Sequence, residues 1–144
     1  MALFEKDRET KIVNPIQIKI YYEDTDAGGV VYYANYLRYM ERARTEFLLD
    51  NGISVAEYHD KGYLFAVVHV DVNYKKPAKL GETIDVTAEL IETTNATVTF
   101  RHQIFRDNTL LVDANVKLAC IDKDGKPRRL PESFKNTINV QLQQ

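Results

Sequence analysis

The chain has 144 residues, of which 44% are hydrophobic and 28% are charged, and its net charge is -2. This length predicts one domain over residues 1–144, with about two-thirds of the unfolded surface buried on folding. The small net charge gives no general attraction to nucleic acid or anionic lipid. No apolar run reaches the roughly 20 residues of a membrane span. We therefore expect neither a nucleic-acid-binding protein nor an integral membrane protein.

The cysteine content and the N-terminus point to one compartment. Cys120 is the single cysteine, so no intramolecular disulfide can form. Residues 1–8 lack the apolar core of a signal peptide. We therefore expect a cytoplasmic protein. Residues 1–13 carry charges without a period and predict a mobile arm.

The first elements are a strand and a long helix. Alternation of apolar and polar side chains predicts a strand over Ile16–Tyr22. Helical spacing predicts a helix over Tyr33–Asn51, ended by Gly52. The expected apolar stripe of this helix is Tyr36, Leu37, Met40, Ala43, Phe47 and Leu48. Glu41 and Arg44 are spaced for a surface or rim ion pair.

The rest of the chain reads mainly as strands. Residues 53–61 predict a short second helix or turn, closed by a glycine. The four expected strands are Leu64–Tyr74, Thr83–Glu92, Thr97–Phe105 and Leu110–Ile121. From Asp122 onward the chain is polar, so we expect partial order at best, with about 135–144 mobile. One long helix and five mostly antiparallel strands predict an α+β fold.

The connection between the first strand and the helix carries a candidate site. Asp26 lies in a glycine-bearing turn, seven residues before Tyr33 at the predicted helix start. The free N–H groups of a helix N-terminus can stabilise an oxyanion, so a carboxylate and an oxyanion donor can face one carbonyl group here. The alternative is that Asp24 or Asp26 only caps the turn or the helix.

A family resemblance bears on this alternative. Residues 25–36, Thr-Asp-Ala-Gly-Gly-Val-Val-Tyr-Tyr-Ala-Asn-Tyr, resemble the signature of the 4-hydroxybenzoyl-CoA thioesterase family, T/C-D-x-x-G-x-V followed by an aromatic pair and Asn-Tyr. Residues 21–31 and 41–46 are most similar to its branch of bacterial acyl-CoA thioesterases associated with the Tol–Pal system. The resemblance covers roughly Ile16–Phe134. It implies a hot-dog fold, in which a five-stranded antiparallel sheet wraps around one long helix.

The resemblance also implies an activity, the hydrolysis of acyl-CoA to a free acid and CoA. Asp26 takes the position of the catalytic carboxylate, either as nucleophile or as general base toward water. The backbone N–H of Tyr33 takes the position of the oxyanion donor. No cofactor is implied, because CoA is part of the substrate. We also expect no metal site, because His59, His69 and His102 lack ligand spacing.

The sequence departs from the family at two places. Tyr33 stands where the Tol–Pal branch usually carries His. The turn at residues 94–96 lacks the basic residues that contact the nucleotide phosphates in the hydroxybenzoyl-CoA enzyme. A substitute is the basic cluster, Lys123, Lys126, Arg128 and Arg129. Arg128 and Arg129 are our candidates for binding the CoA phosphates or the acidic face of acyl carrier protein, and a merely solvated loop is the alternative.

Two other functions stay open at this point. The thiol carrier can be acyl carrier protein instead of CoA. The pocket can also serve a non-catalytic module that binds an acyl ligand or acts as a scaffold, although a carboxylate at Asp26 would add nothing to such a site. The strand Leu64–Tyr74 is expected at a sheet edge, paired with its copy in a homodimer that can assemble further into a homotetramer.

Overall fold

The computed structural model describes residues 15–143. The mobile arm predicted for residues 1–13 lies outside this range. Residues 15–143 contain six strands, three helices and a 3-10 turn at Tyr22–Asp24. The strands are β1 (Ile16–Lys19), β2 (Leu64–Tyr74), β3 (Thr83–Val86), β4 (Glu89–Thr93), β5 (Thr97–Arg106) and β6 (Thr109–Ile121), and the helices are α1 (Asn35–Asp50), α2 (Val55–Asp60) and α3 (Glu132–Gln143).

The strands form one antiparallel sheet in the order β1-β3-β5-β6-β2, with β4 also paired to β5. The single strand predicted over Thr83–Glu92 is therefore two segments. The pairing with β5 keeps one register across the break, since Val86 faces Ile104 and Glu89 faces Arg101. The side chain of Thr87 replaces part of the ladder at this point, because its Oγ1 accepts a hydrogen bond from the Gln103 N–H at 2.9 Å. The break is thus a bend in one strand path.

Helix α1 packs its apolar side into the core. It ends close to the predicted position, before Gly52, whose φ of 78° suits a helix terminator. Phe47 meets Phe100 of β5 edge to face, with ring centroids 5.6 Å apart. The predicted stripe was wrong at one position, because Leu37 is exposed and Tyr39 is buried instead. The side chains that face the core are Tyr36, Tyr39, Met40, Ala43, Phe47 and Leu48.

The predicted ion pair between Glu41 and Arg44 was wrong. Arg44 is only 7% exposed, and its Nη1 lies 3.2 Å from Nε2 of His102, which is completely buried. Nδ1 of His102 lies 2.8 Å from the carbonyl oxygen of Thr87. A carbonyl can only accept, so Nδ1 carries the proton and Nε2 accepts from Arg44. Burial, followed by the nearby Arg44 charge, lowers the pKa of His102 to about 3.

The C-terminal part differs from the prediction of partial order at best. Helix α3 covers Glu132–Gln143, and both Phe134 and Ile138 are buried. These two residues are four apart and so share one helix face. Phe134 stacks on Phe65 of β2 at 5.3 Å and meets Tyr58 of α2 edge to face at 5.5 Å. Aromatic partners distant in sequence therefore hold this polar segment on the sheet.

Strand β2 lies at the edge of the sheet, as predicted, and pairs only with β6 within residues 15–143. Its register with β6 shifts between Val67 and His69. The side chains of Val67 and Val68 there are 50% and 56% exposed. No helix in the part of the chain that the structure describes combines the length and apolar content needed to cross a membrane.

Candidate functional site

Asp26 lies at the tip of a short hairpin between β1 and α1. Its N–H donates to the Val30 carbonyl at 2.9 Å, and its carbonyl accepts from the Gly29 N–H at 3.0 Å. Gly29 has a φ of 75°, which glycine adopts without strain. The Asp26 side chain is exposed, and its Oδ1 accepts from the Gly28 N–H at 2.8 Å. The turn therefore presents this carboxylate to solvent while one of its oxygens is held by the backbone.

The arms of the hairpin lead from Asp26 to Tyr33. Thr25 pairs with Val31, and the Tyr32 N–H donates to the Asp24 carbonyl at 3.0 Å. Tyr33 directly follows this last pair, at the base of the hairpin. Tyr33 is three positions beyond Val30 at the tip, or about 10 Å along an extended chain. The structure thus places both predicted residues on one loop, at its two ends.

Two hydrogen bonds fix this loop to the connection between β2 and β3. The Val31 N–H donates to the Ala78 carbonyl at 2.9 Å, and the Leu80 N–H donates to the Gly29 carbonyl at 3.0 Å. The Ala78 N–H in turn donates to Oη of Tyr36 on α1 at 2.9 Å. The segment after β2 therefore braces both the hairpin tip and the first turn of α1.

Asp24 makes hydrogen bonds to backbone and side-chain groups on both sides of the hairpin. Its Oδ2 accepts from the Tyr21 N–H at 2.8 Å, and its carbonyl accepts from Nδ2 of Asn35 at 3.0 Å. Burial, followed by the nearby Asp24 carboxylate, raises the pKa of Tyr39 on the next turn of α1. Asp24 therefore joins the 3-10 turn to the start of the helix.

The start of α1 leaves a donor available. The Asn35 N–H donates to the Tyr32 carbonyl at 2.9 Å, and the Leu37 N–H donates to the Ala34 carbonyl at 3.2 Å. The Tyr33 N–H makes no hydrogen bond to any group within residues 15–143. The ring of Tyr33 is 62% exposed. An N–H at a helix start with no protein acceptor is the type of group that binds an anionic oxygen.

A cavity of about 220 Å³ opens beside Tyr33. Tyr74, at the end of β2, meets the Tyr33 ring edge to face at 6.3 Å and lies 5.7 Å from the Tyr36 ring. Lys75 and Lys76 add two cations to the wall. These residues at and after the end of β2 were not predicted as part of the site, although a tyrosine followed by two lysines and a proline at a strand end is a visible signal.

The structure does not bring Arg128 to this cavity within one chain. Nη1 of Arg128 donates to the Gly62 carbonyl at 3.0 Å, and its guanidinium lies 3.7 Å from the centre of the Tyr63 ring. These contacts are just before the start of β2, whereas Tyr74 ends it. A strand of 11 residues separates the two places, or about 30 Å. Arg129 is exposed. Within residues 15–143 no group of His, Cys, Asp and Glu side chains is placed to hold a metal ion.

Comparison with known proteins extends these observations. Residues 21–138 match the family model of the Thioesterase-like superfamily. The chain is 39% identical over 119 residues to the acyl-CoA thioester hydrolase YbgC of Escherichia coli O6:H1, with 81% of this chain and 89% of that protein covered. The residues matched by the family model contain the whole hairpin and α1.

Two solved structures share the fold. A probable thioesterase from Bartonella henselae has a TM-score of 0.77 and 34% identity, and the match covers 83% of this chain and 99% of that one. The DHNA-CoA thioesterase from Staphylococcus aureus has a TM-score of 0.85 and 27% identity, covering 91% of each. These similarities confirm the predicted α+β hot-dog fold, with the added bend between β3 and β4.

Proposed function

Because the chain belongs to the thioesterase-like superfamily, we propose that it is an acyl-CoA thioesterase, which hydrolyses acyl-CoA to a free acid and CoA. The observation that carries this proposal is the hairpin, which presents the Asp26 carboxylate on the same loop as the free N–H of Tyr33. The match to the family model, residues 21–138, contains this loop, and the relative from Escherichia coli carries that activity in its name.

Asp26 is the proposed catalytic carboxylate. As a base, it takes a proton from water while the water oxygen bonds to the thioester carbon. As a nucleophile, it attacks that carbon itself and forms a mixed anhydride that water then hydrolyses. In both routes the C–S bond breaks and the CoA sulfur leaves as a thiolate that takes up a proton. The hydrogen bond from Gly28 occupies Oδ1, so Oδ2 is the oxygen we assign to this step.

The Tyr33 N–H is the proposed oxyanion donor. Charge develops on the thioester oxygen as the tetrahedral intermediate forms, and an oriented N–H stabilises it more than it stabilises the ground state. Support for this assignment is that the N–H has no acceptor among the described residues and precedes the first turn of α1. The phenol of Tyr33 is not needed for this role.

The cavity beside Tyr33 is the proposed acyl site. Its walls include the rings of Tyr33, Tyr36 and Tyr74, which suit an aromatic or short acyl group of matching size. Lys75 and Lys76 at the same cavity add positive charge, which attracts the anionic substrate as a whole. Arg129 is a proposed contact for the phosphates at its nucleotide end.

A homodimer through β2 is part of this proposal. Two copies of β2 paired antiparallel across a two-fold axis place the start of one strand beside the end of the other. Arg128, near the start of β2, then approaches Tyr74 of the partner subunit. This arrangement is how the basic cluster of one chain can serve the cavity of the other.

Free-thiol release from a panel of aliphatic and aromatic acyl-CoA substrates tests the activity. The Asp26→Asn substitution removes the charge and basicity of the carboxylate but keeps its size, so kcat is expected to fall by about 10²-fold or more. Asp24→Asn is the matched control, and it is expected to cost about 1 kcal/mol of stability with little change in kcat. Activity retained in Asp26→Asn but lost in Asp24→Asn would overturn the assignment.

A further inference from the structure

A second cavity, of about 160 Å³, lies between α1 and the sheet. Its apolar walls come from α1, α2, α3 and three strands and include Leu48, Val55, Phe65, Val98, Phe100 and Phe134. Arg44 at this cavity is 11 residues beyond Tyr33, or about 16 Å along a helix. A dry cavity of about 150 Å³ holds a benzene molecule. This space can therefore take a small ring or a short alkyl chain.

The cavity also contains a buried cation. Arg44 lines it and is 7% exposed. Within residues 15–143 its guanidinium makes one hydrogen bond, to Nε2 of His102. His102 is neutral, because its single ring proton lies on Nδ1 and points to the Thr87 carbonyl. A guanidinium has five N–H donors, so most of them have no protein acceptor here.

The cation has no contacting counter-charge in the described part of the chain. Glu41 is at the same cavity, and its negative charge acts on Arg44. The two side chains nevertheless form no ion pair within 4.0 Å, as judged among residues 15–143. Glu41 is exposed. A buried charge without a paired anion is costly, and an anionic ligand on Arg44 would reduce that cost.

We propose that this cavity binds a small organic acid, with its carboxylate on the Arg44 guanidinium and its apolar tail among the phenylalanine, leucine and valine side chains. Arginine matches a carboxylate with two parallel hydrogen bonds, and the cavity volume limits the tail to about the size of a phenyl ring or a five-carbon chain. Benzoate and hexanoate are representatives of this class. The binding requires neither Asp26 nor a thioester, so it is independent of the proposed hydrolysis.

Calorimetric titration of the full-length protein tests this site, with benzoate and hexanoate compared with benzamide and hexanamide. The amides match the acids in shape but lack the charge. We expect the acids to bind at least about tenfold more tightly than the amides, because a hydrogen bond to a charged group is lost. Equal affinity of acids and amides, or no binding of either acid, would overturn the proposal.

Three variants locate the binding. Arg44→Met should reduce the affinity for the acids to that for the amides. Val98→Phe fills the cavity and should abolish binding of both kinds of ligand. Glu41→Gln changes an exposed side chain, so it should fold normally, and it should strengthen acid binding a few-fold without affecting the amides. Acid binding unchanged by Val98→Phe and Glu41→Gln would place the acid elsewhere and contradict the proposal.

The imidazole ¹⁵N signals give a direct readout. Nε2 of His102 accepts a hydrogen bond from Arg44, so a carboxylate bound to Arg44 should shift the ring signals of His102. His59 and His69 are exposed and do not line this cavity, so their signals should shift less than those of His102 and serve as internal controls. Acid binding that leaves the His102 signals unchanged would exclude Arg44 as the partner. None of these readouts involves turnover, so failure here is distinguishable from failure of the proposed thioesterase activity.

Discussion

Oη of Tyr74 donates a hydrogen bond to the carbonyl oxygen of Tyr33 at 3.2 Å. Tyr74 is the last residue of the edge strand β2, and Tyr33 is the residue whose N–H we propose as oxyanion donor. The contact joins the end of the sheet edge to the start of α1. It therefore helps to orient the peptide groups at the proposed site.

Tyr74→Phe should lower kcat/KM about fivefold, because the loss of one hydrogen bond of about 1 kcal/mol loosens the Tyr33 backbone. Tyr58→Phe is the matched control. It removes the same hydroxyl from a hydrogen bond to Ser133, of 2.9 Å, away from the hairpin. Thiol-release kinetics on both variants compare them, and an equal loss in Tyr58→Phe would mean that the Tyr74 contact has no specific role.

Arg128→Ala and Arg129→Ala should differ in their effect on the free energy of unfolding. Arg128→Ala loses the hydrogen bond to Gly62 and the stacking on Tyr63, so it should lower the free energy of unfolding by about 2 kcal/mol. Arg129 is exposed, so Arg129→Ala should change that free energy by less than about 0.5 kcal/mol. Urea denaturation measures both values.

The same Arg129→Ala variant should raise KM for acyl-CoA while leaving KM for the corresponding acyl-pantetheine unchanged. The reason is that only the CoA substrate carries the nucleotide phosphates. The effect should decrease at high salt, because exposed charges are screened. An equal rise in KM for both substrates would argue against contact between Arg129 and the phosphates.

His102 should make stability depend on pH. Its pKa is lowered to about 3 in the folded protein from a usual value of 6.5, so the unfolded chain takes up a proton below pH 6.5 that the folded chain does not. The free energy of unfolding therefore falls as pH decreases through this window, by up to about 1.4 kcal/mol per pH unit. Above pH 6.5 the contribution of His102 to the free energy of unfolding is fully present.

His102→Gln keeps a donor and an acceptor but cannot titrate. Between about pH 7 and about pH 5, the wild-type protein should lose about 2 kcal/mol more stability than this variant. Exposed His69 supplies the control, since His69→Gln should retain the wild-type dependence. Urea denaturation across this pH range measures the difference. Identical pH dependence in wild type and His102→Gln would show that His102 is not the titrating group.

Val68→Lys should convert the proposed dimer to a monomer. Val68 is 56% exposed on the edge strand, and a lysine there opposes strand pairing between copies. Leu49→Lys, at an exposed position on α1 that is 48% accessible, should leave the dimer intact. Sedimentation velocity at micromolar concentration gives the masses. A monomeric wild-type protein would contradict the dimer and, with it, the approach of Arg128 to the partner subunit's Tyr74.

Much of this protein was determined by local patterns in its sequence. The sequence predicted the strand β2 with its observed bounds, and helical spacing predicted α1 to within two residues at each end. The turn at Asp26 is formed by its own neighbours, since Gly29 adopts the positive φ and the Gly28 N–H donates to the carboxylate. Such features depend on neighbours in the chain, so they can be read without tertiary contacts.

Only the tertiary structure decided which residues meet across long separations. Arg44 and His102 are 58 residues apart, and Arg128 and Gly62 are 66 apart. Nothing near Arg44 in the sequence shows that it is buried, because its helical spacing fits a surface ion pair with Glu41 equally well. Helix α3 likewise packs through Phe134 on Phe65, which is 69 residues away in the sequence. The energies of burial and pairing that fix these residues arise between distant segments, so they leave no local pattern.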